Sequence, residues 1–476
     1  MTGAPRRIVV VGGGIAGLAA AHRLLELSRE REAPVAVTLC EAGGHLGGTV
    51  GTERVDGFLL ERGADSFITD KPWALRLCER LGLGPRLRRT DDRFRRTYVV
   101  RGGRLQPLPD GFLLLAPTRA WPVLASRVFS WRGKLRLGLD LALPRRRANG
   151  DESLGSFVRR RLGREALERV AQPLVGGIYT ADPEGLSLAA TMPRFLALEG
   201  THRSVILGLR RTASRPETVS AAGARLGLFV TLAGGMGELV EALRSRLGPA
   251  AIRLHSPVAV VERAGAGGGW QVRLAGGESL AADGVILAGE APRMAEVVAG
   301  LDGGLAARLS EVAYASSAAV TLGYPRAALS HPLDAFGYVV PVAEGRRTLA
   351  CTFSSIKYPG RAPPGLVLLR VFLGGALDPD LLGRGDPELV RLAREDVEAL
   401  LGASGSPVLT RVSRYPAAMP QYAVGHLDRV LAIERHLAAW PGLRLAGAAY
   451  RGVGIADCVR SGEAAAEALL AGAAAA

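Results

Sequence analysis

A chain of 476 residues has room for two or three domains, and 60 Lys+Arg against 45 Asp+Glu leave a formal charge of +15. Almost all the basic residues are Arg, alongside abundant Ala, Gly and Pro, so the excess tracks a GC-rich composition and no nucleic-acid partner is expected. Four scattered cysteines (Cys40, Cys78, Cys351, Cys458) with no C-x-x-C speak against a disulfide scaffold and a zinc site.

No apolar run reaches the roughly 18 residues of a spanning helix, and the first strand starts within six residues of the N-terminus, which leaves no room for a signal peptide. The expectation is a cytoplasmic chain, soluble or peripheral on the inner face of the cell membrane. Ile8, Val9, Val10 and Val11 form a β-branched run suited to a strand buried on both faces. Gly12, Gly14 and Gly17 follow in a G-x-G-x-x-G, then helical periodicity from Leu18 to Leu27 and a second strand, Val35 to Cys40, ending at Glu41. In such a βαβ unit the first glycine allows a tight turn, the second lets backbone approach a pyrophosphate, and the third lets helix pack on strand. The helix start, Ile15 and Ala16, offers free N–H groups to the phosphates, and Glu41 suits ribose hydroxyls. The bland alternative is a chance glycine-rich turn with Glu41 as a surface acid.

Ala42 leads into a second glycine pair, Gly47 and Gly48, where backbone can lie against a cofactor. Lys71 to Leu83 reads as an amphipathic helix. From Arg86 to Arg104 eight Arg stand against two Asp, either a solvated surface or a cationic rim. Phe112 to Leu115, Trp121 to Leu124 and Val128 to Trp131 are apolar and aromatic and run into Arg132, Lys134, Arg136 and Arg145 to Arg147. That pattern suits an interfacial membrane contact or, equally, a helical core with snorkelling arginines. Ser153 to Arg169 reads as a basic helix. Thr231 to Leu239 opens a helix to Leu247, and strands follow at Ser256–Glu262, Trp270–Leu274 (joined through 267–269) and Asp283–Leu287. Short strands at Ala319–Leu322, Phe336–Val342, Thr348–Phe353 and Leu366–Leu373 suggest an antiparallel sheet. A helix (Pro387–Leu401), a strand (Val408–Tyr415) and a glycine-rich turn then lead to a closing helix, Ile455–Leu470.

Glu41 to Phe67, with Gly63, Ala64, Asp65 and Ser66, resembles the start of the amine-oxidase-like flavoproteins, although His45 stands where they usually carry Arg. Three more stretches narrow the resemblance to the oxygen-dependent porphyrinogen oxidases: Gly176–Leu188, His202–Gly208 and Leu445–Cys458, the last followed by Ser461-Gly462. The resemblance implies FAD, held noncovalently because no cysteine stands at an attachment position. It implies six-electron oxidation of a porphyrinogen to the porphyrin in haem synthesis, by hydride transfer to flavin, with dioxygen as acceptor and hydrogen peroxide released. Coproporphyrinogen III is favoured over protoporphyrinogen IX. A flavin amine oxidase, a carotenoid desaturase or a non-enzymatic prenyl-protein escort is the alternative. It further implies flavin contacts from Gly447, Gly454, Ile455 and Asp457, an adenine-side backbone contact at Val258, a substrate carboxylate at Arg96 and a tetrapyrrole contact at Gly177. A hand-off to a ferrochelatase is a further implication. No residue is singled out as catalytic, no metal is expected, and no oligomeric state is implied.

The expected class is α/β (α+β overall), with a Rossmann-like FAD-binding domain, discontinuous in sequence, an antiparallel-sheet substrate domain and a helical insertion. The expected pieces are FAD-binding 1–70, 231–298 and 431–476; substrate 71–105, 186–230 and 299–430; and the insertion 106–185, the membrane-contact region.

Overall fold

The computed structural model describes residues 4–113, 115–146, 150–213, 228–265 and 268–471. Leu114, Arg147, Gly267 and the terminal alanines 473–476, named or included above, lie outside them. The β-branched opening run forms the strand Arg6–Val11 at the centre of a five-stranded parallel sheet. Val35–Cys40 and then Ile252–Arg253 lie on one side of it, and Gly284–Leu287 and then Leu443–Leu445 on the other. The chain thus switches direction of travel at the first strand, which is where open α/β sheets leave a crevice at their carboxyl ends. The sheet is built from three separated stretches of sequence.

The opening helix Ile15–Glu30 and the closing helix Ile455–Ala471 pack together on this sheet. They touch at small residues: a Cβ on Gly462 would sit 2.1 Å from the carbonyl oxygen of Ala16. Arg23 bonds Glu467 further along, so the two helices run the same way. The closing helix therefore starts about 9 Å ahead of the opening one at 1.5 Å per residue.

A second sheet of seven strands runs in the order Leu409–Pro420, Tyr314–Pro325, Leu366–Gly374, Thr348–Phe353, Gly337–Val339, Tyr98–Arg101 and Arg104–Pro107. The alternation of the strands decides its faces. Val320, Leu322, Val371, Leu373, Tyr338 and Cys351 face the helix Asp386–Leu401 through Leu389, Ala393 and Val397. On the opposite face the register aligns Val99, Val339, Ala350, Phe372 and Ala319 in one cross-strand row.

Helices between residues 120 and 213 form a third unit with its own core, including Leu115, Val123, Phe129, Leu137, Phe157, Leu188, Leu198 and Leu209. This helical layer runs past residue 185, through Pro193–His202 and Val205–Ala213, because those helices share that core. The stretch 153–169 is not one helix: Leu154–Arg161 stops before Gly163 (φ 96°), and the chain restarts at Arg164. The amphipathic segment after Lys71 is helical over Trp73–Arg80. Among the described residues no helix is long and apolar enough to cross a membrane.

Candidate flavin and substrate site

The ends of four parallel strands define the floor of the site. Gly12 donates to Cys40 O (2.8 Å), Ala288 to Val11 O (2.7 Å) and Ala446 to Leu287 O (2.9 Å), so four chain turns stand side by side. The three glycines have distinct duties. Gly12 has φ 102°, and a Cβ there would meet the Ala288 backbone at 3.0 Å. A Cβ on Gly17 would lie 1.9 Å from Gly12 O, the close helix–strand approach that only glycine allows. A Cβ on Gly14 would meet nothing within 4 Å. Gly14 is also the N-cap of the opening helix and supplies no side-chain acceptor, which leaves the first-turn N–H groups near Ile15 and Ala16 for a ligand.

Glu41 sits at the adjoining strand end. It accepts from Gly13 N and Gly43 N, each at 2.7 Å, and a carboxylate retains further lone pairs for hydroxyls. Ala42 is exposed beside it, and Ser256 donates to Glu41 O at 2.8 Å, which brings the start of the Val258–Ala264 strand alongside. Gly47 N donates to Gly13 O (2.8 Å), and Gly48 lies with its Cβ position 3.4 Å from Gly14 Cα. Arg62 N donates to Gly51 O, and Gly63 approaches Thr49 O so closely that a Cβ would sit 1.9 Å away. One continuous backbone surface thus links residues 12–17, 41–48 and 63–66, with Ala64 exposed on it.

At the far side Gly447 is buried, yet a Cβ added to it would meet nothing within 4 Å, a cradle rather than packed core. Its N–H donates to Ser461 Oγ at 3.0 Å. Gly454 is exposed and Ile455 starts the closing helix, whose positive end faces the same crevice. Asp457 in its first turn is not free: Lys71 Nζ reaches both oxygens, at 2.8 and 2.7 Å. The loop leading there is held from outside the expected residues. Tyr422 donates to Ala448 O (2.6 Å) and accepts from Gly452 N (2.7 Å), while His426, stacked on Tyr422 at 3.9 Å, bonds Tyr450 O. Two helix N-termini staggered along one line, empty cradles at Gly14 and Gly447 and a strand-end carboxylate fit an extended dinucleotide-type cofactor.

Three buried or half-buried cations, Arg370 on a strand of the second sheet and Lys357 and Arg361 in the connection that leads into that strand, reach into the Glu61–Ser66 segment. Arg361 pairs with Glu61 at 3.2 Å, both nearly fully buried, and Glu61 also accepts from Thr52 Oγ1 and Met236 N. Burial pushes the Glu61 carboxyl up, against the pull of Arg361. Arg370 Nη1 donates to Gly63 O at 2.5 Å, and Lys357 Nζ contacts both Asp65 oxygens at 3.1 and 3.0 Å. Arg370 lies two residues from Phe372 on the same sheet face. Beyond half-buried Phe372, the helix Gln172–Tyr179 covers the apolar row, with exposed Gly177 set 4.0 Å (Cβ position) from Ala350 Cβ.

Arg96 lies just before the strand Tyr98–Arg101. Its side chain is 60% exposed and 3.8 Å from Asp334. Two other arginines of the expected rim are occupied, Arg86 by Glu238 and Arg93 by Asp91. The apolar segments of 112–131 divide. Val123, Val128 and Phe129 belong to the core, whereas Trp121 (77% exposed), Trp131 (69%) and Leu135 (73%) stand out into solvent beside Arg132 and Lys134. Sequence reasoning missed Lys71, Lys357, Arg361, Arg370, Tyr415, Tyr422 and His426. Only the lysines carried a signal, their rarity.

Fold and site define a flavin oxidoreductase, and the chain belongs to the flavin containing amine oxidoreductases, whose family model matches residues 15–470. It is 35% identical to the coproporphyrinogen III oxidase of Bacillus subtilis (strain 168), over 98% of each chain. It is 37% identical to the coproporphyrinogen III oxidase of Propionibacterium freudenreichii subsp. freudenreichii, over 95% of this chain and 88% of the relative. A crystal structure from Exiguobacterium sp. 255-15 superposes with a TM-score of 0.86 at 32% identity, covering 98% of this chain and 99% of that one.

Proposed function

We propose that the protein is an FAD-dependent porphyrinogen oxidase that converts coproporphyrinogen III to the porphyrin in preference to protoporphyrinogen IX, with dioxygen as final acceptor. The observation that carries this reading is the adjacency of two surfaces. The apolar sheet row, otherwise buried, comes nearest the surface at half-buried Phe372, the covering helix exposes Gly177–Ile178, and the same sheet face, two residues from Phe372, fastens Gly63 through Arg370. Its relatives named coproporphyrinogen III oxidase support the substrate preference.

Bound noncovalently, FAD supplies the two-electron acceptor for hydride from a meso carbon. The chain's residues hold and orient. Gly12, Gly14, Ile15, Ala16 and Gly17 take the pyrophosphate, Glu41 and Ala42 the ribose, and Val258 the adenine side. Gly47, Gly48, Gly63, Ala64, Asp65 and Ser66 line the flavin, with Gly447, Gly454, Ile455 and Asp457 at its other edge. Arg96 takes a substrate propionate and Gly177 the tetrapyrrole by its backbone. Aromatisation drives the reaction, so orientation over the acceptor is the main requirement.

The exposed Trp121, Trp131 and Leu135 beside Arg132 and Lys134 support a peripheral contact with anionic lipid, and a hand-off of the porphyrin to a ferrochelatase is a separate part of the proposal. The test of the activity is aerobic addition of coproporphyrinogen III to the purified yellow protein. Porphyrin fluorescence should appear with matching oxygen uptake and peroxide. A protein that carries flavin and yields no porphyrin overturns the reading.

A further inference from the structure

Only three of the sixty basic residues are lysines, Lys71, Lys134 and Lys357. Two of the three end on aspartates of the flavin-motif segments, Lys71 on Asp457 and Lys357 on Asp65. In a chain that uses Arg almost everywhere else, the choice of an ammonium at these places asks for a local reason. At Lys357 the geometry supplies one. Its Nζ faces three oxygens, Asp65 Oδ1 at 3.1 Å, Asp65 Oδ2 at 3.0 Å and Ser66 Oγ at 3.4 Å, which matches the three donors of an ammonium. Ser66 Oγ itself donates to Asp65 Oδ1 at 2.6 Å. The ring of Phe229 lies 5.6 Å and that of Tyr358 5.1 Å from the Nζ, so aromatic faces close the remaining sides. A guanidinium presents its donors in a rigid planar fork, whereas an ammonium is a compact point charge that turns three donors toward two carboxylate oxygens and a hydroxyl.

We propose that Lys357 is a positioning residue for the flavin. Together with Arg370 it fastens Gly63–Ser66 to the substrate-bearing sheet, so that the sheet and the flavin are held in one fixed relation. Arg370 grips Gly63 O by Nη1 and Tyr415 OH by Nη2 (2.8 Å), and Tyr415 OH donates to Arg62 O. Three of the four consecutive residues Arg62 to Asp65 have a backbone oxygen or side chain tied to the second sheet or its connections, and Ala64, the fourth, is exposed. The fastening comes wholly from residues 292 or more positions along the chain from Asp65, apart from Ser66.

The inference rests on the reading of Gly63–Ser66 as a flavin contact, and the experiment separates the two. FAD release from the purified full chain is followed by flavin fluorescence on dilution, and the bound flavin by visible circular dichroism, for Lys357→Met, Lys357→Arg, Asp65→Asn and Ala64→Trp. Lys357→Met and Asp65→Asn should each weaken FAD binding tenfold or more and change the flavin dichroism, and Lys357→Arg should restore less than half of the lost affinity on a logarithmic scale. Ala64→Trp, at a site exposed in the protein alone, should abolish flavin binding without lowering the melting temperature by more than a few degrees. The inference is overturned by folded Lys357→Met and Asp65→Asn proteins that bind FAD within twofold of the parent with unchanged dichroism. If Ala64→Trp also binds FAD normally, the reading of the segment falls with it; if Ala64→Trp loses flavin, only the role of Lys357 falls.

Discussion

Lys71 and Asp457, 386 residues apart in sequence, meet at 2.7 Å and join the segment that follows Phe67 to the first turn of the closing helix. The carboxylate is largely buried while the ammonium is about two-fifths exposed, so the pair is partly screened and of moderate strength. Asp457 also fills the space beside Gly452 (φ 143°), where a Cβ would come 2.3 Å from its Cγ. Removing the cation strands a nearly buried carboxylate, which costs more than the pair itself contributes. Lys71→Met should destabilise the protein by about 1–2 kcal/mol, and Asp457→Asn should recover most of that loss in the double variant. Urea unfolding of the four proteins in the cycle checks it, and additive losses would show that the two side chains do not act as a pair.

The glycines of the first turn should separate folding from cofactor binding. Gly14→Asp adds a side chain where the protein has open space, so the fold should survive with an unchanged midpoint while a carboxylate faces the pyrophosphate. The product should be a folded, colourless protein. Gly17→Ala sets a methyl 1.9 Å from Gly12 O and should lower the stability itself, by about 1–3 kcal/mol. Thermal melts and the flavin-to-protein absorbance ratio of both variants distinguish the two effects.

Asp65 gives the protein an acid-side dependence. Burial works against its charge, but Lys357 and Ser66 hold its carboxyl down to about 2, below the ordinary 3.8. The folded value is the depressed one, so the stabilisation is fully present above about pH 4 and is lost as pH falls through 2. Asp65→Asn should therefore be less stable than the parent at neutral pH, by up to about 2 kcal/mol, and the difference should close between pH 4 and 2. Denaturation midpoints across that range test the sign, and a gap that widens toward acid would contradict it.

What the sequence discloses here is local. The run Ile8–Val11, the three glycines and Glu41 lie within one βαβ unit, where spacing alone reports geometry, and the strand Thr348–Phe353 occupies the residues its β-branched pattern marks. The helices between 172 and 213 are hidden because Pro173, Gly176, Gly177 and Gly185 dilute any periodicity, and packing into a shared core, not propensity, forms them. Composition equally fails to tell Phe129 from Trp131: both are aromatic, two residues apart, yet Phe129 packs in the core just before the N-cap Ser130, and Trp131, the first residue of the helix, stands out into solvent. The cations around Glu61–Ser66 leave no spacing signal, since Arg370 reaches it from a strand of another sheet and Lys357 and Arg361 from the connection before that strand. Only a count of lysines in an Arg-rich chain would have singled out Lys357.

The measurement that bears most directly on the proposed activity compares the two porphyrinogens. The purified protein is given anaerobically prepared coproporphyrinogen III or protoporphyrinogen IX at one salt concentration, oxygen is admitted, and kcat/KM is read from porphyrin fluorescence. Coproporphyrinogen III, the substrate named for the relatives at 35% and 37% identity, should be the better substrate. A preference of tenfold or more for protoporphyrinogen IX, about 1.4 kcal/mol of transition-state discrimination, would contradict the assignment of substrate, and no porphyrin from either would contradict the activity itself.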